Sequence, residues 1–296
     1  MTGKFASIGF IGAGVMGTSM ARRLIDAGHQ LHVHTRTRSR ADGLLEAGAS
    51  WAESPREVSH VSDIVISIVG HPGDVREVHL GEHGTLAASE PARFIIDMTT
   101  STPDLAVEIA GEAQARGVES LDAPVSGGDI GAREGRLSVM VGANDGVIEE
   151  VQPVLEPLSS TVVHHGPPGS GQFAKIINQV LVASSMVGSC EGLLLARRAG
   201  LDLSKVIQTV GSGAAGSWTI NNLGPRMIEG DFDPGFAIEH MAKDLSIALE
   251  QAKALGLDLP GLALAQGLYT HLLEAGHGQK GTHALFPAME QGDVPG

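Results

Sequence analysis

One cysteine, Cys190, stands in a chain of 296 residues. A single thiol excludes an intrachain disulfide and any cysteine-cluster metal site, and it suits a reducing compartment, with the cytoplasm the expectation. Lysine is scarce too. Six lysines fall within 20 basic residues set against 34 acidic ones, for a formal charge of −14. That balance disfavours a nucleic-acid track or a docking patch for anionic membrane, and it makes a lysine inside an apolar or glycine-rich stretch more informative. The thirteen histidines, adjacent His164 and His165 among them, show neither HExxH nor an acidic-histidine spacing, so no metal is expected. No basic leader with an apolar segment opens the chain, and no targeting peptide is expected. The uncharged run 176–190 is short for a membrane span and carries Asn178, Gln179 and serines, which reads as a buried or interface helix rather than an anchor. No repeat of 20–50 residues points to a solenoid.

Hydrophobic residues make up 42% of the chain, enough for a sizeable core and about two domains. Strands are expected over 5–11, 31–34, 63–69, 94–98 and 118–121, with 137–141 as a mixed or edge extension. Helical stretches alternate with them, around Leu44 and over 106–115. Such alternation predicts an α/β fold: a mostly parallel, Rossmann-type sheet with helices on both faces. After the glycine- and proline-rich segment 166–171 the periodicity turns helical, over 173–198, 203–210, 218–228, 238–255 and 259–273. Gly200 is expected to stop a helix, and Pro225 to begin a turn or kink one. The expected division is an α/β domain over 1–165 and an all-helical domain over 166–296. The helix over 173–198 joins them. Met186, Met227, Met241 and Trp218 read as helix packing before any cofactor site.

Gly12-Ala13-Gly14-Val15-Met16-Gly17 follows the first strand and opens the first helix. A tight turn, close approach of backbone to a pyrophosphate, and close helix-strand packing each require a residue without a side chain, while the helix start offers unpaired N–H groups. The strand and helix around this spacing favour dinucleotide binding over a bare structural turn. At the end of the second strand, where an acidic residue would clasp the ribose of NAD, stand Thr35-Arg36-Thr37-Arg38. Arg36, with Thr37 and Arg38 beside it, can pair with a 2′-phosphate, so NADP(H) is preferred and NAD(H) remains open.

A second glycine loop, Asp122-Ala123-Pro124-Val125-Ser126-Gly127-Gly128, continues through Gly131 and Gly135. Ser126 offers a hydroxyl to a carboxylate and the two glycines let N–H groups turn toward the same oxygens; a compact turn alone explains the run equally well. Lys175 and Asn178, three apart on the next helix, share a face: an amine near a reacting carbonyl and an amide to orient it, or a lysine that snorkels at a helix start. His240 to Asp244 can add a second cation through Lys243, or be a surface turn of helix. Trp218, Asn221, Asn222 and Phe236 are weaker candidates for shaping an acid pocket.

The order of these motifs, the GxGxMG turn, 122–135, 169–178 and Lys243-Asp244, resembles the β-hydroxyacid dehydrogenase family across nearly the whole chain. The 3-hydroxyisobutyrate dehydrogenases and tartronate semialdehyde reductases look most similar; succinic semialdehyde and glyoxylate reductases are alternatives. The resemblance implies reversible hydride transfer between a small carboxylated alcohol and its aldehyde. Within it, Lys175 matches the catalytic lysine, Ser126, Gly127 and Gly128 the carboxylate loop, Asn178 a substrate-contacting amide, Lys243 a residue near cofactor and substrate, and Thr99 and Thr100 the cofactor side. From the sequence alone those threonines could equally be helix caps. The resemblance further implies a homodimer or homotetramer, and Lys175 argues against the imine-reductase branch. A dinucleotide-binding protein without catalysis is the alternative from another class.

Overall fold

The computed structural model describes Phe5 and residues 7–294. Two compact units divide the chain, Met1–Lys175 and Ile176–Gly296.

In the first unit, strands β1 (Ser7–Ile11), β2 (Gln30–His34), β3 (Ser50–Trp51), β4 (Ile64–Ser67), β5 (Phe94–Asp97) and β6 (Glu119–Asp122) form a parallel sheet ordered β3-β2-β1-β4-β5-β6. Helices α1 (Val15–Asp26), α2 (Asp42–Glu46), α3 (Pro55–His60), α4 (Pro72–Leu80) and α5 (Pro103–Gln114) lie between successive strands in the chain. β4 and the first three residues of β5 are wholly apolar but for Ser67, and every residue of both strands is buried. Such runs suit only a sheet covered on both faces. Ile8, Phe10, Leu24, Ile66, Phe94 and Ile96 belong to one core. Of the expected strand 5–11, residues Ser7 to Ile11 are strand and Ala6 lies outside the described residues.

Beyond β6 the sheet turns mixed, as expected for 137–141. β7 (Val125–Ser126) and α6 (Gly128–Glu134) lead to β8 (Leu137–Gly142), antiparallel to β6 and β7; α7 (Val147–Leu155) then leads to β9 (Ser159–Gly166), parallel to β8. β3, β7 and β9 were not anticipated. Two are only two residues long, and β9 is polar and half-exposed along its length, so neither type carries an apolar signature.

Helix α8 (Ser170–Arg198) runs from the first unit into the second, which contains α9 (Leu203–Gly211), α10 (Trp218–Asn222), α11 (Gly224–Glu229), α12 (Ile238–Ala254), α13 (Pro260–Leu272) and α14 (Leu285–Gln291). Its core takes Met186, Cys190, Met241, Leu245, Tyr269 and Phe286, none more than 1% exposed. The methionines therefore pack, as expected. Trp218 does not: it is 60% exposed at the first turn of a five-residue helix. The helix expected over 218–228 is two, because Pro225 lacks the N–H that a continuous helix requires and sits in the first turn of α11. Gly200, at φ +73°, ends α8.

Among the described residues one helix, α8, is long and apolar enough to cross a membrane by length and composition, with 44% of its most apolar stretch buried. It exceeds the uncharged run 176–190 at both ends, with Ser170 to Lys175 before it and Glu191 to Arg198 after it. Ala183, Met186, Cys190 and Leu193, spaced along one stripe, place its apolar residues in the core of the second unit.

Candidate active site

The glycine turn shows three different demands. Gly12 has φ +104°, and a Cβ there would collide with the Ile68 carbonyl; one on Gly17 would collide with the Gly12 carbonyl. Gly14 meets nothing within 4 Å and begins α1, whose first turn no side chain caps. Open space thus adjoins free helix N–H groups, which fits a pyrophosphate. Val15 is exposed and Met16 half-buried beside it.

At the end of β2 the Arg36 side chain is 85% exposed, and its guanidinium pairs with Asp74 at 2.9 Å. Asp74, on the first turn of α4, also accepts the N–H of His71. Residues 35–41, directly after β2, hold no carboxylate, yet the fold supplies Arg36 with one from 38 residues away. Arg38 lies over the Trp51 ring, 5.3 Å from its centroid, while Thr37 precedes a 3-10 turn without capping it.

Two aspartates end neighbouring strands, Asp97 on β5 in register with Asp122 on β6. Asp97 accepts from Ser67 Oγ at 2.8 Å and from Thr99 Oγ1 at 2.7 Å. Because the one proton of Ser67 goes to Asp97, His79 Nε2 must donate to Ser67 (3.0 Å), leaving Nδ1 to accept from Thr85 Oγ1 (2.9 Å). Burial lowers His79 to about 4, consistent with a neutral ring. Thr99 is buried and also accepts the Val69 N–H at 2.9 Å; Thr100 is half-buried. Neither caps α5. That cap is Thr102, whose hydroxyl accepts the N–H of Leu105.

Asp122 accepts the N–H of Gly169 on Oδ1 (2.7 Å) and of Gln172 on Oδ2 (2.8 Å). Burial pushes its carboxyl up to about 7 against the pull of those donors, and Asp97 raises it further. A few residues on, Ser126 is half-buried at the end of β7, and Gly127 and Gly128 have φ +128° and +63°, which L side chains rarely adopt.

On α8, Lys175 is only 6% exposed, with Gln172 at 0% and Gln179 at 2%. The spacing 172, 175, 179 places all three on one helix stripe. Lys175 belongs to the first unit; Asn178 and Lys243 belong to the second. There Asn178 donates to Gln179 Oε1 (2.7 Å), Gln179 donates to Asp244 Oδ2 (2.6 Å), and Lys243 pairs with Asp244 Oδ1 at 3.2 Å. His240 lies beside Phe236, ring centroids 6.1 Å apart. Asn221 and Asn222 are exposed. Among the described residues no group of three His, Cys, Asp or Glu side chains is placed to hold a metal ion.

Asp122, Gln172, Gln179 and Asp244 were missed from sequence as site components. A signal existed for the glutamines, since polar residues at i, i+3 and i+7 of an otherwise apolar helix must find buried partners. The aspartates' hydrogen-bond donors Gly169, Gln172 and Gln179 lie 47 to 65 residues away, and no local pattern reveals them.

Residues 7–166 match the NAD-binding domain of 6-phosphogluconate dehydrogenase, and residues 169–289 match the family described as NAD-binding of NADP-dependent 3-hydroxyisobutyrate dehydrogenase. The chain is 46% identical to the mitochondrial 3-hydroxyisobutyrate dehydrogenase-like protein 1 of Arabidopsis thaliana, over 98% of this chain and 87% of that one. It is 43% identical to the 2-hydroxy-3-oxopropionate reductase of Escherichia coli, over 96% and 97%. The crystal structure of 3-hydroxyisobutyrate dehydrogenase from Salmonella typhimurium superposes with a TM-score of 0.86 at 30% identity, covering 95% of this chain and 99% of that one. A nucleotide-binding Rossmann domain followed by a helical domain, with these relatives, defines an NAD(P)-dependent oxidoreductase. The chain belongs to the 3-hydroxyisobutyrate dehydrogenase family of β-hydroxyacid dehydrogenases.

Proposed function

We propose that the enzyme interconverts a small β-hydroxyacid and its semialdehyde, with NADP(H) preferred over NAD(H). The observation that carries this reading is Lys175, an amine only 6% exposed on the opening turns of α8. Lysine is among the residues least often buried, and buried lysines commonly serve proton transfer. When bound, the nicotinamide accepts or supplies hydride at its C4 carbon.

In oxidation Lys175 takes the proton of the substrate hydroxyl as hydride leaves the same carbon, and in reduction it returns that proton to the carbonyl oxygen. The hydroxyl of Ser126 and the N–H groups of Gly127 and Gly128 hold the substrate carboxylate. Asn178 orients substrate oxygen, and Lys243 adds positive charge toward substrate and cofactor. Gly12, Gly14, Val15, Met16 and Gly17 hold the pyrophosphate; Thr99 and Thr100 line the nicotinamide side. Arg36, with Thr37, takes the 2′-phosphate, for which its exposed guanidinium must exchange Asp74. An exposed ion pair contributes little, so that exchange costs little.

These roles divide the chain into a dinucleotide-binding domain over 1–165 and a substrate and oligomerisation domain over 166–296. Exposed Ile177, Leu181 and Leu195 on α8 support a homodimer or homotetramer. A lone, buried Cys190 suits the reducing cytoplasm.

The test is turnover of methylmalonate, tartronate and succinic semialdehydes and glyoxylate with NADPH and with NADH, for the wild type and Arg36→Ala. One β-semialdehyde is expected to dominate, and Arg36→Ala to cut NADPH efficiency about 10–100-fold, the worth of a charge-assisted contact, with NADH barely changed. Cofactor binding with no turnover across the panel would replace the enzyme with a dinucleotide-responsive binding protein. An unchanged NADPH preference in Arg36→Ala would remove Arg36 from the cofactor site.

A further inference from the structure

We propose that Asp122 and Gln172 form a clasp that positions Lys175, fastening the first turn of α8 to the end of β6 and to the segment that follows β5. The inference rests on the role given to Lys175 above and extends it to two residues that touch the chemistry only through it.

Four hydrogen bonds make the clasp. Asp122 uses one oxygen for the Gly169 N–H at 2.7 Å and the other for the Gln172 N–H at 2.8 Å. Both donors belong to the start of a 29-residue helix, where N–H groups have no partner within the helix. The Gln172 side chain then reaches the other segment: Oε1 accepts the Ser101 N–H and Nε2 donates to the Thr99 carbonyl, both at 2.8 Å. One helical turn is therefore tied at once to the strand end that leads to Ser126 and to the loop that carries Thr99. Lys175 lies three residues beyond Gln172 on the same stripe, roughly 4.5 Å along the axis.

The backbone leaves the clasp no slack. A Cβ on Gly171 would stand 2.5 Å from the Asp122 carbonyl oxygen and 2.8 Å from the Gly142 N; one on Gly142 would stand 2.5 Å from Asp122 Oδ1. The helix start therefore lies close against β6 and β8 through glycines on both sides, and backbone atoms block a nearer approach.

Stability alone is a poor reason for this arrangement. Asp122 is 4% exposed and Gln172 fully buried. Asp97, in register on the next strand, adds a second carboxyl beside a cavity of about 10 Å³ that Ser101 and Ser120 also line. Apolar residues of similar volume hold a helix start to a sheet without desolvating a carboxylate. A polar clasp with directional bonds instead fixes register and rotation, and proton transfer from a lysine demands both. Misplacement by about 1 Å of a group at the reacting atoms costs on the order of 100-fold in rate.

The test uses Asp122→Asn, which retains one acceptor and turns an N–H group toward the other donor, and Gln172→Ala, which leaves both Asp122 bonds in place. Single-turnover hydride transfer is expected to fall on the order of 10–100-fold in each, with substrate KM and cofactor Kd moved by less than about 3-fold. Amide hydrogen exchange is expected to rise at Gly169 and Gln172 in Asp122→Asn and at Ser101 in Gln172→Ala, and the double variant to be no slower than the slower single. Should Asp122→Asn fail to fold, Gln172→Ala carries the same readouts alone. Wild-type transfer rates in the folded variants would overturn the clasp, as would rate losses matched by equal losses of cofactor affinity with those amides unchanged. Lys175→Ala in the same assay separates the two claims. Its retention of wild-type transfer would defeat the role of Lys175 itself; its loss, with the clasp variants unimpaired, would defeat only the clasp.

Discussion

Asp122 and His79 are buried titratable groups whose protons pull stability in opposite directions. Burial raises the Asp122 carboxyl from 3.8 to about 7, so between those values the folded chain holds a proton that the unfolded chain has released. Its contribution to stability is full below pH 3.8 and is lost as pH rises toward 7. His79 is lowered by burial from 6.5 to about 4, so its contribution is full above pH 6.5 and is lost as pH falls toward 4. Through pH 4 to 6.5 the two slopes offset each other in the wild type. Asp122→Asn removes one of them. Urea unfolding at half-unit steps is expected to show the wild-type minus variant stability falling by roughly 1 kcal/mol per pH unit from pH 4 to 7. Parallel profiles for the two proteins would contradict a native Asp122 that titrates near neutrality.

At the scale of elements, the glycine turn separates folding from binding. Gly12→Ala places a Cβ against the Ile68 carbonyl at φ +104° and is expected to cost about 1–3 kcal/mol of stability together with cofactor binding. Gly14 has φ −78° and open space, so Gly14→Ala is expected to cost about 1 kcal/mol or less while still weakening the cofactor. Thermal melts with and without cofactor distinguish the two; equal effects on both quantities would leave Gly14 a purely conformational residue. The parallel strands and the turn were legible in the sequence because their causes are local: apolar runs such as Ile64 to Ile66, and glycines at fixed offsets before a helix. The long helices of the second half were legible by the same 3.6-residue period, except where Pro225 splits one. Opaque to sequence were β9, whose residues are all half-exposed or exposed, and the partners of Gln172 and Gln179, which arrive from strands and helices far along the chain. Asp74 beside Arg36 was hidden for the same reason, and with it the pairing that the proposed 2′-phosphate contact would displace.

Over the whole molecule the formal charge is −14, yet the family's cofactor and the proposed substrates are anions. Long-range attraction therefore contributes little, and recognition of anions has to be local; the groups proposed for it are the N–H groups at the start of α1, the Arg36 guanidinium, and buried or nearly buried Lys175 and Lys243. With six lysines in 296 residues, two on these segments form a third of the total. That concentration of scarce positive charge argues for chemistry rather than solvation, and it places Lys175 at the centre of the account. The most direct measurement is single-turnover hydride transfer to the preferred semialdehyde by Lys175→Ala, alongside titration of its cofactor affinity. The expected result is a loss of 100-fold or more, on the order of a general acid's contribution, with cofactor Kd nearly unchanged. Transfer at the wild-type rate by a folded, cofactor-binding Lys175→Ala enzyme would contradict the account.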